Sequence, residues 1–135
     1  MKRLMLAIMS NANDQVVSML LAAGARVNER TPDGGATALM LAAVGTSDIE
    51  SIQLLVKAGA GINDRIDDGR TALMLAAQYS MSPPVVTALL LSGADGSLVT
   101  PDGRTSFDFA GHNRIMPQTA AYAQLRAAAQ KARKK

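Results

Sequence analysis

The sequence predicts an all-α solenoid of about four helix-turn-helix units, stacked in a row and joined by β-turn or hairpin loops. Three observations lead there. First, Thr37-Ala38-Leu39-Met40-Leu41-Ala42-Ala43 returns 34 positions later as Thr71-Ala72-Leu73-Met74-Leu75-Ala76-Ala77, and a degraded copy, Thr105-Ser106-Phe107-Asp108-Phe109-Ala110-Gly111, follows after the same interval. Second, Ala23-Gly24-Ala25 recurs as Ala58-Gly59-Ala60 and Ser92-Gly93-Ala94. A period of this size marks supersecondary units that cannot bury their apolar faces alone. Third, 48% of the 135 residues are apolar but only 3% are aromatic, so Ala, Leu, Val and Met must do the packing. That composition suits thin layers of closely spaced helices.

The units divide at about 1–31, 32–65, 66–99 and 100–130, followed by a basic tail at 131–135. In the first, Leu4-Met5-Leu6-Ala7 aligns with Leu39-Met40-Leu41-Ala42, and the register holds to Asn28 and Asn63. It lacks a leading turn. The second opens with the turn Pro32-Asp33-Gly34-Gly35, and Ser47-Asp48-Ile49-Glu50 reads as a capping box before the inward Ile52, Leu55 and Val56. In the third, Asp67-Asp68-Gly69-Arg70 is turn chemistry, and Thr71 caps a short helix reaching about Tyr79, with Leu73, Ala76 and Ala77 on one face. Ser82-Pro83 opens its longer helix, Val86, Leu89 and Leu90 face inward, and Gly93 stops it in the left-handed conformation. The fourth begins at Pro101-Asp102-Gly103, drifts after Gly111 and ends in an Ala-rich helix from about Gln118 to Lys131.

With these residues in place, the chain resembles the ankyrin-repeat family over about residues 4 to 130. Asp68-Gly69-Arg70-Thr71-Ala72-Leu73-Met74-Leu75-Ala76-Ala77 and Leu89-Leu90-Leu91-Ser92-Gly93-Ala94-Asp95 are similar to the family's D-G-x-T-P-L-H-x-A-A and L-L-x-x-G-A-D. There are departures. The family's Pro is Ala38, Ala72 or Ser106 here, and its His is Met40, Met74 or Asp108. That His normally stitches neighbouring turns by hydrogen bonds, so these seams are expected to rest on packing. The units also exceed the usual length through longer inter-helix loops, at Gly45 to Asp48 and Tyr79 to Pro83, which resembles bacterial members.

The resemblance implies a non-catalytic protein-binding module that uses a concave face of turn tips and first helices. Carried over by position, the candidate contacts are Asp33 and Ala36; Asp67, Asp68 and Arg70; Asp102 and Arg104 on the turns. On the short helices they are Met9 and Ser10, Val44 and Gly45, Gln78 and Tyr79, and His112 and Asn113. Tyr79 either meets a partner as an exposed hot-spot ring or covers the Pro83-Pro84 loop. The Asp residues serve the turns first, because Asp-Gly is what a tight turn requires.

Other chemistry finds little support. There is no Cys, and the one histidine, His112, has no nucleophile pattern beside it. Asp67-Asp68 lacks the spaced third ligand of a calcium loop, so no metal is expected. Asp33-Gly34-Gly35-Ala36-Thr37 lacks the Lys and spacing of a phosphate loop. No cofactor and no small-molecule substrate are implied, and Met5, Met40 and Met74 recur as a packing layer.

The net charge of +3 falls short of a nucleic-acid-binding stripe. Its basic tail, Lys131 to Lys135, suits a helix C-terminus, with nucleic acid, an anionic membrane or an import receptor as the sharper readings. The expected partner is therefore an unidentified protein, in the cytoplasm, with nucleic acid and membranes disfavoured. Two alternatives stay open: the chain is a module of a larger protein, or its tail binds an acidic polymer or membrane. Self-association through the N-terminal helix is also open, since Leu4, Met5, Leu6 and Ile8 offer apolar surface.

Overall fold

The computed structural model describes residues 14–32, 34–45, 49–80, 83–113 and 116–133, with only the backbone at 14, 116 and 131–133. The expectations for Leu4 to Ser10, Asp33, the Ser47-Asp48 cap, the Ser82 cap, and Lys134 and Lys135 lie outside the described residues. Among them are seven α-helices: α1 (Asp14–Ala22), α2 (Ala38–Gly45), α3 (Ile49–Lys57), α4 (Ala72–Tyr79), α5 (Pro83–Leu91), α6 (Ser106–Ala110) and α7 (Ala120–Arg133). The short helices α2, α4 and α6 lie side by side in one row, and α1, α3, α5 and α7 form a second row behind them. Each short helix also packs on its longer successor. The result is the two-layer, all-α repeat that the period predicts.

Small side chains set this spacing. Every residue of α4 from Ala72 to Ala77 is buried, as are Ala38, Leu39, Met40, Ala42 and Ala43 of α2. A helix apolar on all sides is stable only between neighbours. Behind them, Ile52 and Leu55 of α3, Val86 and Leu89 of α5 and Leu125 of α7 continue the same core. The longer helices α1, α3 and α5 end alike. Gly93 has φ +104°, its amide donates to Leu90 O (3.2 Å), and the Ala94 amide donates to Leu89 O (3.0 Å). The same pair of bonds closes α1 at Gly24 and α3 at Gly59. These bonds satisfy carbonyls that a helix end leaves bare.

The residues standing where the family has histidine keep a local role. Met74 Sδ accepts from the Thr71 amide (3.4 Å) while Thr71 Oγ1 accepts from the Met74 amide (3.3 Å). Thr37 and Met40 repeat this arrangement at 3.5 and 3.4 Å. In the last copy Asp108 Oδ2 accepts from the Thr105 amide at 2.9 Å, and a charged acceptor makes the stronger bond.

The seams between units do not rest on packing alone, which corrects the expectation drawn from the missing histidines. Arg30 Nη1 donates to Gly35 O (2.9 Å) and Arg65 O (2.6 Å). One unit on, Arg65 Nη1 donates to Gly69 O (2.8 Å) and Val99 O (2.7 Å). Asn28 Oδ1 accepts from the Gly61 amide (2.9 Å), and Asn63 Oδ1 from the Asp95 amide (2.8 Å). A ladder of Arg and Asn side chains thus replaces the histidine stitching.

Helix α7 begins at Ala120 rather than near Gln118. A single 3-10 turn occupies Met116–Gln118, and Thr119 Oγ1 accepts from the Tyr122 amide (3.3 Å), which caps the helix one step later. Its approach depends on Gly96, where a Cβ would lie 2.5 Å from that of Ala128. The Phe107 and Tyr122 rings, 4.7 Å apart, lock α6 to α7.

One group sits poorly. Ser106 is 1% exposed, and among the described residues its Oγ has no hydrogen-bond partner. A buried orphan hydroxyl costs about 1–3 kcal/mol. Ala38 and Ala72 fill this position in the preceding copies. Ser106→Ala is therefore expected to stabilise the fold by about 1 kcal/mol, read as a higher urea midpoint at unchanged slope.

Candidate functional site

The turns that lead into α4 and α6 carry the same short design. In the first, Asp68 Oδ1 accepts from the Arg70 amide (3.1 Å) and Oδ2 from Arg70 Nε (2.9 Å). Gly69, at φ +95°, lets the chain reverse between them. Arg70 Nη2 lies 2.8 Å from the same oxygen, so Asp68 Oδ2 is held by the Nε–Nη2 edge of the guanidinium. The remaining nitrogen, Nη1, reaches the far end of α4, donating to Gln78 Oε1 (3.0 Å) and to the Tyr79 hydroxyl (3.3 Å). The guanidinium carbon stands 5.8 Å from the centre of the Tyr79 ring, which is 50% exposed. Asp68, Arg70, Gln78 and Tyr79 therefore form one connected network, and the observed contact of Tyr79 is with Arg70.

The second turn repeats the pairing. Arg104 Nε donates to Asp102 Oδ2 (2.8 Å), and the Thr100 hydroxyl donates to Asp102 Oδ1. The Arg104 guanidinium lies over the buried Phe109 ring at 4.5 Å. A polar cleft of about 470 Å³ runs between the two turns, with Asp68, Arg70 and Gln78 on one wall and Asp102, Arg104 and Phe109 on the other.

The Arg70 guanidinium, by hydrogen bond first and by charge as well, holds the Asp68 carboxyl below the usual carboxylate range. At Asp102 the Thr100 hydroxyl is the larger influence and Arg104 adds to it, again lowering the pKa. A carboxyl depressed in the folded state adds stability above its unfolded pKa, near 3.9, and loses it as pH falls through the lower folded value. Carboxyl carbon NMR is thus expected to place both midpoints below the ordinary aspartate value. Midpoints at or above that value would mean that the two turns are not paired in solution.

The remaining candidate residues are more scattered. Asp67 is exposed beside these turns, and its amide donates to Gly34 O (2.9 Å), tying one turn tip to the last. Val44 is exposed near the end of α2, and His112 just beyond α6. Ala36 is half-buried and packs against the core. Asn113 is not a surface residue. It is 6% exposed, and its Nδ2 donates to Ser80 O (2.8 Å) and Gln78 O (3.4 Å), closing the end of α4. Helix α6 stops at Ala110, so Asn113 turns inward instead of extending a helix face as Tyr79 does.

Sequence reasoning missed Thr100 and Phe109 as parts of the cleft. Phe109 stands where the earlier copies have Leu41 and Leu75, so its ring was a visible departure from the pattern. The described residues contain no group of three or more His, Cys, Asp or Glu side chains able to hold a metal ion. No helix among them is long and apolar enough to cross a membrane.

Paired helices, glycine stops and side chains that bridge from unit to unit define an all-α repeat protein. The family model for ankyrin repeats (3 copies) matches residues 4–100, and the chain belongs to the ankyrin-repeat family. Its members are generally protein–protein interaction modules and are typically non-enzymatic. No curated protein matches the chain.

Proposed function

We propose that the chain recognises a partner protein through the face formed by its turn tips and the exposed ends of its short helices. The observation that carries this reading is the Asp68–Arg70–Gln78–Tyr79 network. It holds polar groups and an exposed ring in one arrangement before any partner arrives. Side chains already ordered lose little entropy on docking, which leaves more of the contact energy as affinity. Arg and Tyr are also the residue types most often found at the energetic centre of protein interfaces. Asp67 and Arg104 extend the surface along the turns, and Val44 and His112 flank it.

The test is a pull-down from a lysate of the source organism at two salt concentrations, read by mass spectrometry. The native chain is run beside a variant with Arg70, Gln78, Tyr79 and Arg104 changed to Ala, and beside one lacking Lys131 to Lys135. The expected result is a protein retained by the native and tail-less chains at both salts and lost with the four-site variant. Retention by the four-site variant, or retention that vanishes with the tail and with salt, would contradict recognition by this face.

A further inference from the structure

The two arginines of the cleft occupy the same place in successive units, 34 residues apart, yet their donors are spent differently. Arg70 has every nitrogen engaged, with Nε and Nη2 on Asp68 and Nη1 shared by Gln78 and Tyr79. Arg104 keeps only the Nε bond to Asp102. The positions matching Gln78 and Tyr79 are His112 and Asn113. Asn113 is committed inward to Ser80 O, and no bond from His112 reaches the arginine among the described residues. Nη1 and Nη2 of Arg104 therefore have no partner among the described residues, while its plane is fixed by the Phe109 ring at 4.5 Å and by Asp102 at one edge. Arg104 lines the 470 Å³ cleft.

We propose that Arg104 is the reading residue of this cleft, and that it receives a carboxylate side chain, Asp or Glu, from an extended segment of the partner protein. The inference rests on the recognition reading above and names the chemistry of its central contact. A guanidinium already stacked on a ring and tied at Nε presents two parallel N–H donors, the spacing that a carboxylate accepts in bidentate fashion. Stacking also removes rotamer freedom before binding, so the contact forms at low entropic cost. Asp68 pairs with Arg70, and Asp102 takes only the Nε of Arg104, so Nη1 and Nη2 stay open to an incoming group; Arg104 acts on Asp68 by charge alone. Arg70 acts as the wall that keeps Tyr79 in place, and Arg104 as the open donor.

A display library of random 12-residue peptides is panned on the full chain, and the recovered peptides are measured by fluorescence anisotropy. Native protein is compared with Arg104→Gln, Arg104→Lys and Tyr79→Ala, each checked by thermal melting. The expected result is a common Asp or Glu in the recovered peptides. Affinity should fall at least tenfold with Arg104→Gln and nearly as far with Arg104→Lys, since a point charge lacks the fork. Replacing the acidic residue in the peptide by Gln or Asn should cause an equal loss that is not additive with Arg104→Gln. Peptides weakened by Tyr79→Ala but indifferent to Arg104→Gln would overturn this assignment and leave recognition by the face intact. Peptides indifferent to both, or none recovered, would overturn both. Displacement of the peptide by inorganic phosphate at concentrations where acetate has no effect would overturn the carboxylate in favour of a phosphate ligand.

Discussion

Leu73→Ala is expected to remove about 2–5 kcal/mol of stability, a large part of the roughly 5–15 kcal/mol that holds a domain of this kind folded. Leu73 is 1% exposed and sits in α4, the middle of the row of short helices. That helix packs against α2 on one side, α6 on the other and α5 behind, so a cavity there loosens contacts with three neighbours at once. In stacked repeats, stability is approximately a sum of unit and nearest-neighbour terms, and a central unit enters two of the latter. Urea unfolding would show a lower midpoint. Leu91, 84% exposed on α5, is the control, and Leu91→Ala is expected to stay within about 0.5 kcal/mol of the native chain. Similar losses at both positions would mean that the short helices are not the core.

Gly69→Ala is the second large effect, and it addresses the seam rather than the core. Gly69 has φ +95°, a conformation costing an ordinary residue about 1–2 kcal/mol. A Cβ there would also lie 2.6 Å from Cδ of Pro101, in the turn of the next unit, and relieving such overpacking costs about 1–3 kcal/mol more. Gly103 separates the two costs. It has φ +86° but nothing within 4 Å of where its Cβ would stand, so Gly103→Ala should show only the conformational part. A greater loss at Gly69 than at Gly103 in thermal or urea unfolding measures how closely consecutive turns approach. Equal losses would mean that the turns are not in contact.

Much of this architecture was legible in the sequence because it depends on local chemistry. Thr71 before an apolar run, Pro83 in a first turn and Gly93 after a last turn are signals whose bonds lie within a few residues of themselves. They mark α4 and α5 nearly to the residue. The seams were not legible in the same way. Arg65 bonds the carbonyls of Gly69 and Val99, and a backbone carbonyl leaves no mark on the residue type that bears it. The recurrence of Arg30 with Arg65 and of Asn28 with Asn63 was present in the register, but nothing local assigned those side chains a task.

Much the same division applies to the candidate site. Placing Asp68, Arg70, Gln78 and Tyr79 on one face followed from the unit's period, and they do form one network. Their order of engagement did not follow, because it depends on an arginine reaching eight residues along the chain to the far end of a short helix. Asn113 went astray for a related reason. Alignment by 34 residues assumed that α6 continues as α4 does, but it ends at Ala110 and delivers the amide to the interior. Met40 and Met74 show the reverse case. Their sulfurs accept bonds that a packing argument alone would never require.

Recognition through the face of turn tips and short-helix ends is tested most directly by amide hydrogen exchange on the chain with and without a captured partner. Slowed exchange is expected to be confined to the turns at 67–70 and 101–104 and to the ends of α2 and α4 near Val44 and Tyr79, with α3, α5 and α7 unchanged. Protection on the outer row of helices, with the turns exchanging as in the free chain, would contradict it.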